Sequence, residues 1–187
     1  LVAQLLGWQR GSWPYPTYEG ETHHREQDLS LTQFALLGLR AATHAGVNVP
    51  AKAWQDAAKT VLRYQERSRE VGDGKAPVTA AGFRYRINES DDVTGSMTTA
   101  GISSLCIARE GMGKAMPPAL GREITESLTL SQAWLTHHFD VRQNPFRTGS
   151  PHYYLYGLER ASTLLGVAYY HDKAWYLEGA RMLVESQ

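Results

Sequence analysis

Two kinds of apolar segment alternate along the chain. From Leu29 to Thr43 the sequence LSLTQFALLGLRAAT carries no charge before Arg40 and puts apolar residues on nearly every face, the pattern of a helix covered all round. Asp28 or Ser30 is its candidate N-cap, and Gly46 fits its end. The segment from Pro50 to Gln65 differs: Trp54, Ala57, Ala58, Val61 and Leu62 share one stripe, while Lys52, Asp56, Lys59 and Arg63 fall elsewhere. That is a one-sided helix. The alternation recurs twice. Val93 to Ala108 is again uncharged and small, and Ala119 to Phe139 is again mixed; Pro151 to Val167 opens on a proline, and Asp172 to Gln187 sets Trp175, Leu177, Ala180 and Leu183 against Lys173, Glu178, Arg181 and Glu185.

A covered helix followed by an amphipathic one, three times over at a spacing of roughly 55 to 65 residues, predicts an inner layer touched on both sides and an outer layer facing water. Gly38, Gly101 and Gly157 are expected to let the inner helices approach closely, each at about 1 kcal/mol of helix propensity relative to Ala. The links from inner to outer helices are short, Gly46 to Val49 and Gly111 to Pro118. Those from outer to inner are long, Arg10 to Gln27 and Glu66 to Asp92. If the inner helices run parallel, the long loops and the inner-helix N-termini gather on one rim, which becomes the expected functional face.

Length and charge narrow the classes. The 187 residues fit one folding unit, 1–187, or a section of a longer protein. Lys plus Arg equal Asp plus Glu at 19 each, so no net field draws the protein toward nucleic acid or an anionic surface. No uncharged apolar run approaches the roughly 20 residues of a membrane span. One cysteine, Cys106, excludes an internal disulfide and a cysteine-rich zinc site, and leaves the compartment open. The first residues read as the end of a preceding outer helix. Leu5-Leu6-Gly7-Trp8-Gln9, Val61-Leu62-Arg63-Tyr64-Gln65 and Met182-Leu183-Val184-Glu185-Ser186-Gln187 are alike, so the chain is expected to begin and end at equivalent points of a repeat within a longer protein.

Particular residues sharpen this. Gln9-Arg10-Gly11-Ser12-Trp13 resembles a compressed Gln-to-Gly-x-Trp repeat of squalene and oxidosqualene cyclases, and Gln65 with Gly82-Phe83-Arg84-Tyr85 a stretched copy. The series Thr32-Gln33-Phe34-Ala35-Leu36-Leu37-Gly38-Leu39, Gly95-Ser96-Met97-Thr98, Asn144-Pro145, Tyr153-Tyr154-Leu155-Tyr156-Gly157-Leu158-Glu159-Arg160 and Asp172 through Trp175-Tyr176 to Gly179-Ala180 is similar to a bacterial group of prenyltransferase/squalene-oxidase-repeat proteins. The resemblance covers nearly the whole sequence. It implies an all-α fold, a partial α/α-toroid of three inner–outer helical hairpins plus the end of a preceding outer helix. It also implies a structural role for Gln9, Trp13, Gln65 and Gln187, in which the amide bonds a neighbouring helix and the ring covers it. An open half-ring is expected to self-associate or to pack on the rest of a longer chain.

Candidate chemistry follows. Glu89-Ser90-Asp91-Asp92 precedes an inner helix, where class II terpene cyclases carry Asp-x-Asp-Asp; the resemblance makes Asp91 the general acid, with Asp92 beside it. An acid of that strength needs burial and a neighbouring carboxylate. The same residues suit a polar turn and helix cap, so a structural reading stands beside the catalytic one. The zinc set of a protein prenyltransferase is missing, because Cys106 lies in an uncharged segment and reads as a small buried hydrophobe. The adjacent pairs His23-His24 and His137-His138 point apart on a helix or strand, so no metal and no cofactor are expected.

Glu159 and Arg160 interrupt an apolar helix and are expected to reach different partners, as a clamp or as ligand contacts. Tyr153, Tyr154, Tyr156, Tyr169 and Tyr170 form a candidate aromatic cluster. With His152, the residues Tyr153, Tyr156, Glu159 and Arg160 make a candidate ligand surface for an apolar, isoprenoid or sugar-like molecule. Three functions compete: a repeat domain binding a ligand or partner at its long-loop rim, a cyclase-like enzyme, and a structural repeat module.

Overall fold

A computed structural model of the chain describes residues 1–14, 27–72, 77–88 and 90–187. Within them the chain is mainly helical: α1 (Val2–Trp8), α2 (Leu29–His44), α3 (Ala51–Leu62), α4 (Gly95–Met112), α5 (Pro118–His137), α6 (Pro151–Leu165) and α7 (Trp175–Glu185). Two small antiparallel pairs interrupt the connections, β1 (Arg69–Val71) with β2 (Val78–Ala80) and β3 (Tyr169–Tyr170) with β4 (Lys173–Ala174). The first pair lies in the long link expected from Glu66 to Asp92, whereas β4 takes the first residues of the segment expected to be helical from Asp172, so that α7 starts only at Trp175. Strands this short leave no period to read. Among the described residues no helix is long and apolar enough to cross a membrane.

The uncharged segment that starts at Val93 becomes the centre of the molecule. Residues 95–108 of α4 are all buried, and the helix packs against α2, α3, α5 and α6. Small residues make this closeness workable. A Cβ on Gly101 would sit 2.5 Å from the Phe83 ring, and one on Gly157 would collide with the Thr99 hydroxyl. Gly38 departs from expectation: it is exposed, and a Cβ there would meet only Leu5 Cδ1, at 3.7 Å. The reason is that α2 is not covered all round. Its Phe34, Gly38 and Ala41 are exposed, while Leu29, Leu36 and Leu39 fill the core.

The caps place the starts of α2, α4 and α6 at one end. Asp28 Oδ1 accepts from the Leu31 N–H at 2.7 Å, and Thr94 Oγ1 from the Met97 N–H at 3.2 Å. The hydroxyls of Ser30 on α2 and Tyr153 on α6, each in the first turn, lie 2.9 Å apart. Pro145, from the loop leading into α6, accepts the Gly95 N–H at 2.9 Å, and Tyr85, from the loop leading into α4, accepts the Leu29 N–H at 3.0 Å.

Equivalent bonds repeat along the chain. The Trp13 N–H donates to Thr32 Oγ1 at 3.2 Å, as the Phe83 N–H does to Thr98 Oγ1 at 3.1 Å. Gln9, at the end of α1, donates to the Ala53 carbonyl of α3 at 2.8 Å. Gln65, just past α3, donates to the Ser127 carbonyl at 3.1 Å and to Ser131 Oγ at 2.9 Å, both on α5. Each glutamine thus joins one amphipathic helix to the next. Trp13 is buried beside the first joint, its indole N–H bonded to the Leu5 carbonyl at 2.8 Å. Gln187 is exposed.

Candidate functional site

The loop 138–150 is held to the first turn of α4 by one buried side chain. Asn144 accepts the Ser96 N–H at 2.9 Å through Oδ1 and donates to Ser96 Oγ at 3.0 Å through Nδ2. Residue 95 must be glycine for this contact, since a Cβ would stand 2.5 Å from Pro145 Cδ and 2.8 Å from the Tyr154 ring. The first-turn amides of α4 are therefore bonded within the protein, and the helix end is not available to a ligand.

Held there, the loop borders an open cleft of about 1220 Å³, lined by Asp92, His137, His138, Arg142, Arg147 and Phe146 among others. A hollow of about 260 Å³, reaching Tyr85, Arg86 and Asp91, shares Asp92, Phe146 and Arg147 with it. Charges of both signs line the opening. Asp140 Oδ1 accepts the Arg142 N–H at 2.7 Å, and the Arg142 guanidinium reaches Glu185 at 3.2 Å.

Phe146 is the unusual residue. Its φ is 59°, left-handed for a bulky side chain, and it is 59% exposed. That conformation costs on the order of 1 kcal/mol and persists only where the surroundings hold it. Its ring lies 4.8 Å from that of His138 and 5.7 Å from that of the fully buried Trp134. The His138 Nε2 and Trp134 Nε1 atoms are sequestered from solvent and bond to no protein group among the described residues.

Burial, then the neighbouring His137, then Arg69, push the His138 imidazole down from its usual value to about 4. The unfolded chain takes up this proton near pH 6.5 and the folded one only near 4. Falling pH therefore removes stability between those values, and this group contributes no dependence above 6.5. Thermal melts at pH 7 and 4.5 are expected to differ less in His138→Phe than in the unsubstituted protein. An unchanged difference would assign the acid sensitivity to other groups.

The residues singled out from sequence divide between two places. Asp91 and Asp92 are at the cleft and its side hollow. Asp91 accepts the Arg86 N–H at 3.1 Å and lies 3.7 Å from Arg86 Nε, while Asp92 is exposed. This is the geometry of a turn and differs from that of a desolvated acid. Glu89, the first acid of the motif, lies outside the described residues, as do His23 and His24.

Tyr153, Tyr156 and Arg160 belong instead to the contact between α6 and α2. The Tyr153 hydroxyl bonds with both Ser30 and Gln33. Tyr156 stacks on Phe34 at 6.2 Å, with the Arg160 guanidinium over its ring at 5.3 Å. Glu159 and Arg160 are expected not to face each other, yet they lie 3.5 Å apart, each about half exposed, because long side chains at adjacent helical positions can bend together at a surface; Arg160 reaches Tyr156 as well. His152 is exposed nearby. The five tyrosines do not form one cluster. Tyr154 and Tyr170 are core, Tyr170 bonded to Ser162 at 3.0 Å, and Tyr169 faces solvent.

No group of three metal-ligating side chains occurs among the described residues. Cys106 is buried, and desolvation raises its thiol to about 11, as suits an inert core residue. Sequence reasoning passed over Phe146, Arg147 and the Trp134–His138 pair. The one sequence signal was Asn144-Pro145, which marks where the loop turns onto α4. No protein-family profile, no curated protein and no solved structure matches this chain.

Proposed function

We propose that the chain is a toroid-type helical repeat domain of the squalene-cyclase and prenyltransferase kind that binds a ligand at its long-loop rim, in the cleft beneath loop 138–150. The observation that carries this reading is Phe146, held exposed in a left-handed conformation at a cleft lined by charged side chains of both signs. A sugar-like ligand suits that lining. Its ring face stacks on an aromatic side chain, and its hydroxyls donate to Asp92 and Asp140 while accepting from Arg142 and Arg147. The burial of residues 95–108 of α4 and the glutamine links from α1 to α3 and from α3 to α5 support the toroid part.

The test is calorimetric titration with neutral oligosaccharides of differing linkage. At least one is expected to bind, and Phe146→Ala to weaken it by on the order of tenfold, with melting temperature preserved. Equal affinity in the variant would remove the cleft from the account.

A second reading, a structural module that packs on other protein, draws on α7, where Tyr176, Leu177 and Val184 are exposed apolar residues. The cyclase reading rests on Asp91. Identical products, or none, from unsubstituted and Asp91→Asn protein incubated with squalene would retire it.

A further inference from the structure

A second hollow, of about 550 Å³, lies at the end of α3 and is lined by Arg63, Arg67, Arg84, Glu66, Ile87 and Asn88 among others. Its arginines come from distant parts of the sequence. The chain returns beside α3 through an antiparallel bridge between Gln65 and Phe83, fixed by the Arg84 N–H donating to the Tyr64 carbonyl at 2.9 Å and the Glu66 N–H to the Gly82 carbonyl at 3.0 Å. Arg84 thereby lines the same hollow as Arg63 and Arg67.

The lining holds one carboxylate, and it is engaged elsewhere. Glu66 Oε1 accepts the Gly82 N–H at 3.1 Å, and Oε2 faces Arg69 Nε at 3.8 Å. Arg63, Arg67 and Arg84 make no ion pair among the described residues, and Arg84 Nε is shielded from solvent with no hydrogen bond. Three guanidinium groups that form no ion pair among the described residues, one of them partly desolvated, favour an anion that joins them. Guanidinium forks match tetrahedral oxyanions in geometry. The Asn88 side chain adds a polar edge, its Oδ1 already taken by Ser90, and half-exposed Ile87 adds an apolar one.

We propose that this hollow binds a phosphate monoester, with the phosphoryl oxygens held by Arg63, Arg67 and Arg84 and the organic part toward Ile87. The site shares no lining residue with the cleft under loop 138–150, so the two stand or fall separately.

The test is calorimetry with inorganic phosphate, glycerol 3-phosphate and glycerol at matched ionic strength. Phosphate and its ester are expected to bind saturably and glycerol not at all. Arg84→Gln and the exposed double variant Arg63→Gln/Arg67→Gln are each expected to weaken glycerol 3-phosphate by about tenfold or more. The double variant changes only exposed side chains, so it keeps the test informative if Arg84→Gln fails to fold. Arg142→Gln, at the other cleft, is expected to bind as the unsubstituted protein does. Absence of saturable phosphate binding, equal loss with Arg142→Gln, or unchanged affinity in the double variant would overturn the proposal.

Discussion

Gly101→Ala is expected to destabilise the protein by about 1–3 kcal/mol, whereas Gly38→Ala is expected to stabilise it by about 0.5–1 kcal/mol. Both glycines sit within helices, and on helix propensity alone both substitutions gain up to about 1 kcal/mol. Surroundings decide the sign. The new methyl at 101 would press into the Phe83 ring at 2.5 Å, and Phe83 is fully buried, its own N–H bonded to Thr98. At 38 the methyl meets only the end of Leu5, at ordinary contact distance. In a chain of this length the two changes move the melting temperature in opposite directions by a few degrees each. Thermal denaturation of the pair checks it. A destabilised Gly38→Ala would mean that α2 is covered on the face that stands open here.

Asn144→Ala is expected to cost about 1–3 kcal/mol and to abolish ligand binding in the rim cleft. The side chain is 3% exposed and makes two bonds to Ser96, one of them to an amide of α4's first turn. Truncation leaves that amide and the Ser96 hydroxyl buried without Asn144, which is the expensive way to lose a hydrogen bond. It also frees loop 138–150, which carries Phe146 and Arg147. Asn144→Asp keeps the acceptor but loses the donor, and is expected to fall between. Chemical denaturation gives the stability term, and titration of the folded variant gives the binding term. Unimpaired binding in a destabilised Asn144→Ala would show that the loop is not what shapes the site.

The helical character was legible, and for α4 its burial too, because burial on all sides and burial on one side leave different marks in sequence. An uncharged run of Gly, Ser, Thr and Ala from Val93 onward could only be a helix with neighbours all round, and α4 is that helix. The same run at Leu29 to Thr43 misled, because Phe34 and Gly38 are as apolar exposed as they would be covered. The two glycines could not be told apart for a related reason: the Phe83 ring that excludes a methyl at 101 arrives from another part of the chain.

The rim was legible as a place and not as a site. Loop lengths and caps located it, since the starts of α2, α4 and α6 do lie together. An aromatic residue in an irregular loop carries no periodicity, so Phe146 gave no signal, and its positive φ is visible only in coordinates. Arg63, Arg67 and Arg84 read as ordinary surface charge until the Gln65–Phe83 bridge brings them together. Of the two acids singled out from sequence, Asp92 borders the cleft and Asp91 only its side hollow, where the turn through Arg86 sets the geometry of Asp91.

The most direct test of ligand binding at the rim uses Trp134, one of five tryptophans, which lies 5.7 Å from Phe146 beneath the cleft. With 5-fluorotryptophan incorporated and its resonances assigned by single substitutions, fluorine NMR is followed while a calorimetrically identified oligosaccharide is added. The Trp134 resonance is predicted to shift to saturation at the calorimetric affinity, with Trp8 and Trp54 unmoved. Saturable binding that leaves Trp134 still and moves another tryptophan would place the ligand elsewhere and contradict the account.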